Sequence, residues 1–454
     1  MKKIYFYTIV LLLVSCSKED NSLPLNNNPG SLKIENISFH GKEVTIDWND
    51  VTDADGDIIY YNLYVNSILI GEFTTSTSTT ILDYNNAYTG QIIATDKNGG
   101  ISELDFTFDS PKSKILFFKD FGGDLTAYDL ITKKVLWKSK TSFIEAHTVH
   151  KDKIYSGING INALNILTGE IVWTSNPYNQ SPSEYRNIIV DATHVYAVSS
   201  NSNLHCVSMD TGEKLWERSF LNNYALLAID DSKVFVSSRN NDHLYAINKV
   251  TGGTDWSFRL NESNKFLTNP LIHNDNIYIG DYYGVFYALN KNNGERIWNI
   301  DVGRYNSFYA SPTLFENTII TGTYRTLYSI YENDGIIKWT YSPNGTIESS
   351  PFVHNNNVYI GISKNGSGEL VCLNATNGNL KWKFELANKT TSSPIVFENT
   401  VYVGDWDKNF YAINATTGIL DWKIRTNEIV TKSPTIVIGN SKTVIYPSVH
   451  GLKN

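Results

Sequence analysis

Asp53, Asp55 and Asp57 stand at alternating positions with Gly56 among them. Carboxylates at that spacing can surround Ca2+, which takes roughly six to eight oxygens, although no bidentate Glu follows at the distance an EF-hand loop needs. The segment reads equally as an acidic surface turn, and in neither reading is it catalytic. The nine His residues show no H-x-x-x-H or comparable metal spacing: His147, His150, His194, His205 and His243 fall singly on expected strands or turns. No G-x-S-x-G elbow and no C-x-x-C-H haem attachment sequence is present. What stands out is a surplus of groups that bind rather than react, with 28 Tyr, 20 Phe and 10 Trp.

Such residues need a scaffold. The 454 residues suffice for two or three domains, and 41% hydrophobic residues suffice for a sizeable core. Only 19% are charged, the formal net charge is −8, and there is no basic stripe, so disorder and nucleic-acid binding are both excluded as readings. Abundant Tyr and Trp favour strands, while Gly and Asn tolerate tight turns, so an all-β chain is expected. Three cysteines make no disulfide framework.

At the amino terminus, Lys2 and Lys3 precede an apolar run from Ile4 to Val14 that ends Leu13-Val14-Ser15-Cys16. A spanning helix needs about 20 apolar residues, so the run reads as a secretory signal. It resembles the lipobox of bacterial lipoproteins, which implies a signal peptide over 1–15, lipidation of Cys16 and a flexible tether over 16–31. Ser17 rather than Asp follows the Cys, and Lys18-Glu19-Asp20 resembles a surface-export signal. The expected location is therefore the outer membrane, lipid-anchored, with the cell surface preferred to the periplasmic face.

Residues 32–110 contain alternating segments at Val44–Trp48, Tyr60–Val65, Thr80–Tyr84, Gly90–Thr95 and Leu104–Phe108, the pattern of a small β-sandwich. With Trp48 in an early strand and Tyr88 opening a later one, the stretch resembles a fibronectin type III domain.

From 111 to 454 one sentence recurs. Its anchors are Trp137, Trp173, Trp216, Trp256, Trp298, Trp339, Trp382 and Trp422, at intervals of 36 to 43 residues. Four positions earlier comes Gly169, Gly212, Gly252, Gly294, Gly335, Gly378 or Gly418, with Lys133 in the first copy. Eight earlier comes Asp129, Asn165, Asn248, Asn290, Asn374 or Asn414, with Ser208 and Tyr331 as exceptions. Ten earlier comes a small residue: Ala127, Ala163, Cys206, Ala246, Ala288, Ser329, Cys372 or Ala412. Four short strands per period of about 40 residues make a propeller blade. A small residue in the strand before each Trp leaves room for the indole to pack against a neighbouring blade, so the eight Trp are expected to be structural. The first copy lacks its opening strand and Pro434–Ile438 supplies a spare one, so closure of the ring by the carboxy-terminal strand is expected. Thr443–Pro447 has no place in that scheme. Cys206 and Cys372 fall in units three and seven, too far apart for a disulfide.

The pattern resembles the PQQ-type, or tryptophan-docking, repeat of eight-bladed propellers. In quinone-dependent dehydrogenases of that architecture, adjacent cysteines, Ca2+ ligands and a catalytic Asp lie in long insertions between blades. This chain has no Cys-Cys pair and little room for insertions, so PQQ is not expected. Ca2+ in the amino-terminal domain is the one metal the residues suggest, and no enzyme activity is expected.

The remaining chemistry is surface. Turns between the second and third strands of each unit, and crossovers between units, emerge on one face of a propeller. They hold Tyr178, Tyr185 and Arg186; Tyr282 and Tyr283; Arg304, Tyr305, Phe308 and Tyr309; Tyr324 and Arg325; and Trp406 between Asp405 and Asp407. Tyr, Trp and Arg combine apolar area with a polar handle and dominate binding hot spots. The expectation is a non-catalytic, membrane-anchored scaffold that binds an outer-membrane protein or an extracellular glycan or protein through this face. An anchored propeller also resembles the propeller lipoproteins of the outer-membrane β-barrel assembly machine, which implies the alternative of a periplasmic assembly factor. A quinone-dependent dehydrogenase is the third reading.

Overall fold

The computed structural model describes residues 26–140, 147–157, 159–176, 185–200, 203–219, 225–238, 242–260, 265–439 and 443–445. The signal segment, Cys16, Tyr178 and the side chain of Arg186 lie outside the described residues. The described elements are all strands, in two compact units, Met1–Pro111 and Lys112–Asn454.

The first unit holds two antiparallel sheets. One runs Ile34–His40, Glu43–Trp48, Thr77–Ile81; the other runs Ile68–Phe73, Tyr60–Val65, Ala87–Thr95, Ile101–Asp109. Alternate residues of these strands share one apolar cluster, including Val44, Ile46, Trp48, Leu63, Ile92 and Ala94. Thr77–Ile81 replaces the expected strand Thr80–Tyr84. Leu82 and the residues after it leave the sheet, and Asn85 takes φ +66°, a left-handed conformation that ends extended backbone.

The second unit contains, among the described residues, eight antiparallel sheets of four or five strands, the architecture of a β-propeller. Second and third strands are buried along most of their length, as in Thr318–Thr323 and Leu327–Tyr331, because neighbouring sheets cover both faces. Outer strands such as Arg296–Asp301 alternate exposed and half-buried. In the first sheet, Thr435–Ile438 pairs antiparallel with Lys114–Lys119, so strands from the two ends of the unit share one sheet. Thr443–Ile445 then pairs with Thr435–Ile438 as a fifth strand, the place the sequence pattern did not supply.

The repeat residues act together. In every sheet the Trp is the direct cross-strand partner of the small residue: Trp137 of Ala127, Trp173 of Ala163, Trp216 of Cys206, Trp256 of Ala246, Trp298 of Ala288, Trp339 of Ser329, Trp382 of Cys372 and Trp422 of Ala412. A bulge falls immediately before each Trp in all eight registers and re-aims the indole.

The indole then lies on the glycine of the following repeat. A Cβ on Gly169 would stand 2.5 Å from the Trp137 ring, and one on Gly294 2.5 Å from Trp256. On Gly212 it would stand 2.7 Å from Trp173, on Gly252 2.9 Å from Trp216, and on Gly335 2.8 Å from Trp298. On Gly378 and Gly418 it would stand 2.7 Å from Trp339 and Trp382. Each of these indoles also donates its N–H to a carbonyl of that repeat: Trp137 to Ile166 (3.1 Å), Trp173 to Met209 (3.0 Å), Trp216 to Lys249 (2.8 Å) and Trp256 to Lys291 (3.1 Å). Trp298 donates to Glu332 (3.0 Å), Trp339 to Ala375 (2.9 Å) and Trp382 to Ala415 (3.0 Å). Trp339 is buried and the other seven are half-buried, so the apolar part of each ring is spent on packing between sheets.

The glycines take φ near +70°, closing a loop in which the Asn side chain accepts two backbone N–H bonds, as Asn414 does from Thr416 and Thr417. Lys133 keeps that turn with φ +56°, and the indole reaching its sheet, Trp422, meets Tyr128 at 5.4 Å between centroids.

A second device links innermost strands. The N–H groups of Asn269, Ser311, Ser350 and Ser393 donate in turn to the hydroxyls of Ser311, Ser350, Ser393 and Ser433, at 3.1, 3.0, 2.8 and 3.0 Å. Pro270, Pro312, Pro351, Pro394 and Pro434 follow these residues, so each step of the ladder is completed by a residue that brings no N–H.

Two histidines are buried among the described residues of this unit. Burial, with the nearby Lys119 charge, holds His147 down to about 3, and its ring nitrogens have no hydrogen-bond partner among the described residues. Burial holds His205 down to about 4.

Two expectations follow. Gly294 and Gly366 both take φ +76°, but nothing lies within 4 Å of a Cβ on Gly366. Gly366→Ala should cost only the left-handed strain of about 1–2 kcal/mol, and Gly294→Ala roughly 1–3 kcal/mol more through displacement of Trp256. Urea denaturation of both variants checks this, and equal losses would remove the indole contact as the cause. The histidines give the second. Below about pH 6.5 the unfolded chain takes up protons that the folded chain refuses, so their stability contribution is complete above that pH and shrinks as pH falls. The loss should reach up to roughly 2 kcal/mol per histidine by pH 5. Urea midpoints at pH 7.5, 6 and 5 should fall in order, and His147→Phe should flatten the trend.

Candidate functional site

Loops between second and third strands are held from beneath by a buried side chain. In the sheet of Asn276–Gly280 and Val285–Asn290, the fully buried Asp281 carboxylate accepts the N–H groups of Tyr283 (2.9 Å) and Val285 (2.8 Å) and the Tyr287 hydroxyl (3.0 Å). Asp405 repeats this with Asp407 (2.9 Å), Asn409 (3.0 Å) and Tyr411 (2.7 Å). Burial pushes the Tyr287 and Tyr411 phenols up, and their hydrogen-bonded carboxylates add to it. Asp405 is therefore a loop anchor, and the turn it sets presents Trp406.

At the start of these loops one residue donates its N–H to the preceding crossover: Tyr282 to Lys265 (2.9 Å), Tyr324 to Ser307 (3.1 Å), Trp406 to Lys389 (3.0 Å) and Phe121 to Ile429 (2.8 Å). Four sheets thus place an aromatic at one position. Phe121, about half exposed, is the member the sequence reading missed. Its signal was present, since Phe121, Tyr282 and Trp406 each follow an Asp and stand 16 residues before a repeat Trp.

Tyr282, Tyr283, Tyr305, Ser307, Tyr309 and Tyr324 converge on one surface cleft of about 330 Å3. The rings form two tilted pairs, Tyr282 with Tyr283 at 5.6 Å and Tyr309 with Tyr324 at 5.5 Å. Gly284, at φ +88°, lets the Gly303 carbonyl approach to within 2.5 Å of where a Cβ would stand, and Val302 donates back to Gly284 (2.9 Å). Lys265 stands over the Tyr282 ring at 4.6 Å and Arg304 over the Tyr283 ring at 4.7 Å. Tyr305 is 90% exposed and takes φ +84°, a costly conformation for a residue with a side chain that packs against so little.

The other sequence candidates lie apart from this cleft. Arg325 is exposed beside Tyr324. Trp406 is half-buried, with Lys389 3.6 Å from its ring centroid and its N–H on the Thr391 hydroxyl (3.3 Å); it does not line the cleft. Tyr185 and Phe308 are buried. None of the repeat tryptophans Trp137, Trp173, Trp216, Trp256, Trp298, Trp339, Trp382 and Trp422 lines it either, since their indoles are engaged between sheets. Asp53 accepts the N–H of Asp55, Asp55 holds Asn27, and Asp57 accepts from Asn98 (2.9 Å). The three carboxylates thus engage separate partners, and among the described residues no group of three or more His, Cys, Asp or Glu side chains is placed to hold a metal. Cys206 and Cys372 are buried free thiols, pushed up to about 12 and about 11 chiefly by burial, which leaves them protonated and inert. The larger hollow of about 830 Å3 is lined by residues including His150, Asp191, Lys249 and His273. Asp191 is paired there with Lys249 at 2.6 Å. Burial acts to raise its carboxyl, but bonds from Lys249, Thr193 and His194 hold it down to about 2.

A family model described as outer membrane protein assembly factor BamB matches residues 79–226, 221–307, 287–366 and 360–451. The chain belongs to that family. Two curated relatives carry the same description. The one from Salmonella typhimurium is 26% identical over 140 residues, 29% of this chain and 35% of the relative. The one from Moranella endobia is 24% identical over 132 residues, 27% of this chain and 33% of the relative. The matches thus span about a third of the length of those relatives. Among solved structures, BamB from Moraxella catarrhalis superposes with a TM-score of 0.55 at 18% identity, covering 66% of this chain and 95% of that one. The quinohemoprotein alcohol dehydrogenase of Comamonas testosteroni reaches 0.55 at 11% identity, covering 75% and 77%. These likenesses show a shared propeller fold.

Tyr305 carries a specific expectation. Glycine accepts φ +84° without strain, and the exposed ring contributes little packing, so Tyr305→Gly should leave stability unchanged or raise it by up to about 1 kcal/mol. Thermal denaturation checks it, and a clear loss would mean that the ring supports the loop rather than being held out by it.

Proposed function

We propose that this protein is a non-catalytic scaffold for outer-membrane protein assembly, anchored by lipid at Cys16 and facing the periplasm. The observation that carries this reading is the match of the assembly-factor family along four overlapping stretches from residue 79 to 451, which take in nearly all of the repeat region. It supports a protein partner rather than a glycan, and the periplasmic face rather than the cell surface suggested by Lys18-Glu19-Asp20. In this reading the eight sheets close into an eight-bladed ring through Thr435–Ile438. Residues 32–110 form a fibronectin type III-like sandwich that follows the tether. Supporting that module, the Tyr88 hydroxyl accepts the Asp83 N–H (2.9 Å) and donates to its carbonyl (3.2 Å), the tie-back of a tyrosine corner.

The tyrosine cleft is the face that holds the partner. Aromatic side chains with two flexible torsions and a hydroxyl tip give contact area at small entropic cost. The dehydrogenase reading has only the fold in its favour: the cysteines are isolated opposite Trp216 and Trp382 rather than adjacent.

The test is affinity purification of the full-length lipoprotein from detergent-solubilised outer membranes, with protease treatment of intact cells in parallel. A β-barrel outer-membrane protein should co-purify, and the propeller should resist protease until the cells are lysed. Recovery without any such protein, or cleavage on intact cells, would overturn the proposal.

A further inference from the structure

We infer that the outer strand of the first propeller sheet, Lys134–Lys140, rests with its flanking turns on an anionic lipid surface. This rests on the membrane-anchored reading and is independent of what the tyrosine cleft holds. The first support is charge. From Lys133 to Lys140 stand four lysines and no carboxylate, whereas the same eight positions of the other seven repeats carry net charges between −1 and +1. The segment is thus locally basic in a chain of net charge −8 that has no basic stripe along its length. Lys133, Lys134 and Lys138 are exposed, and among the described residues none of them makes a hydrogen bond or ion pair. Lys249 and Lys383, by contrast, are matched by Asp191 (2.6 Å) and Glu369 (3.3 Å).

Lys133 also holds φ +56° where the other seven repeats have glycine. Glycine takes that turn without strain, so the lysine costs the fold something that no bond among the described residues offsets.

The second support is apolar surface among the lysines. Val135 and Leu136 are 46% and 38% exposed. The Trp137 indole ties their strand to the second sheet, through the Ile166 carbonyl (3.1 Å) and the face of Gly169. Around that tie Leu167, Ile171 and Val172 are exposed as well. Five aliphatic side chains therefore stand in the open across the junction of two sheets. Glu170 is the acid among them, with its carboxylate on the Thr168 hydroxyl (3.3 Å).

Aliphatic tips beside unmatched ammonium groups suit a bilayer interface, where the tips enter the headgroup layer and the lysines meet lipid phosphates. Nucleic acid would match the lysines and leave the aliphatic groups uncovered, and a second copy of this patch would bring like charge against it. A chain anchored at Cys16 already has the bilayer at high effective concentration. The patch would then fix an orientation of the propeller to the membrane that the tether alone leaves free.

The experiment reconstitutes the full-length lipoprotein into vesicles of phosphatidylcholine with phosphatidylglycerol, or of phosphatidylcholine alone, each containing nitroxide-labelled lipid. A fluorophore is attached at Val135→Cys or at Ile297→Cys, the latter 47% exposed on the outer strand Arg296–Asp301, while the buried Cys206 and Cys372 stay unlabelled. With phosphatidylglycerol, quenching should be at least roughly threefold greater at 135 than at 297. It should fall several-fold in neutral vesicles, in raised salt, and when Lys133→Gln, Lys134→Gln and Lys138→Gln are combined. Equal quenching at both positions, indifference to phosphatidylglycerol, or indifference to the triple substitution in a variant that keeps its thermal transition would overturn the inference. So would a probe amino acid at 135 that crosslinks in cells to a protein, which would assign the patch to a protein surface. Flotation with neutral vesicles reports the Cys16 anchor separately. If the chain floats and position 135 is not quenched, the inference falls and the anchored reading stands. If it floats only with anionic vesicles and position 135 is quenched, the anchor falls and the patch stands.

Discussion

An indole laid against a glycine of the next repeat sets the distance between neighbouring sheets, and the rest of the propeller depends on it. The contact makes three demands. The glycine must have no side chain, the indole must be re-aimed by a bulge, and the residue opposite it must be small. The chain meets the last two in eight repeats and the first in seven. Lys133 is the departure, at the sheet that also takes in the carboxy-terminal strands. An indole N–H would be costly to bury unpaired, and the carbonyls of Ile166, Met209, Lys249, Lys291, Glu332, Ala375 and Ala415 receive it in the first seven repeats.

A scaffold held this way can carry strain at its rim. Asp281 and Asp405, fully buried beneath their loops, use both carboxylate oxygens to hold turns that the strands alone would not determine. Beside the loop that Asp281 holds, Tyr305 keeps a left-handed backbone and an almost fully exposed ring. Folding gains little from that arrangement, whereas a binding face gains a projecting aromatic held at a fixed place.

Much of this was legible in the sequence because docking constrains residue type at fixed intervals. Trp, Gly, Asn and the small residue recur in phase, and together they indicated the propeller. The serine–proline pair recurs just as regularly, at 311, 350, 393 and 433 with Asn269-Pro270 before them, but its role emerges only when strands distant in sequence stand side by side. Ile34–His40 and Ile68–Phe73 were not anticipated, since both present mostly exposed or half-buried residues with weak alternation. The tyrosines were legible as a list. That six residues including five tyrosines form a cleft, and that Trp406 stands outside it, depends on which crossover meets which loop, and spacing does not encode that.

The central claim is that the tyrosine face engages a protein of the outer membrane. The most direct measurement is in-cell photocrosslinking from a probe amino acid at Tyr305, compared with one at Asp275 in the other hollow. The account requires crosslinks from position 305 to an outer-membrane β-barrel protein or its unfolded chain, and few or none from 275. Crosslinks from 275 alone, or from neither position, would contradict it.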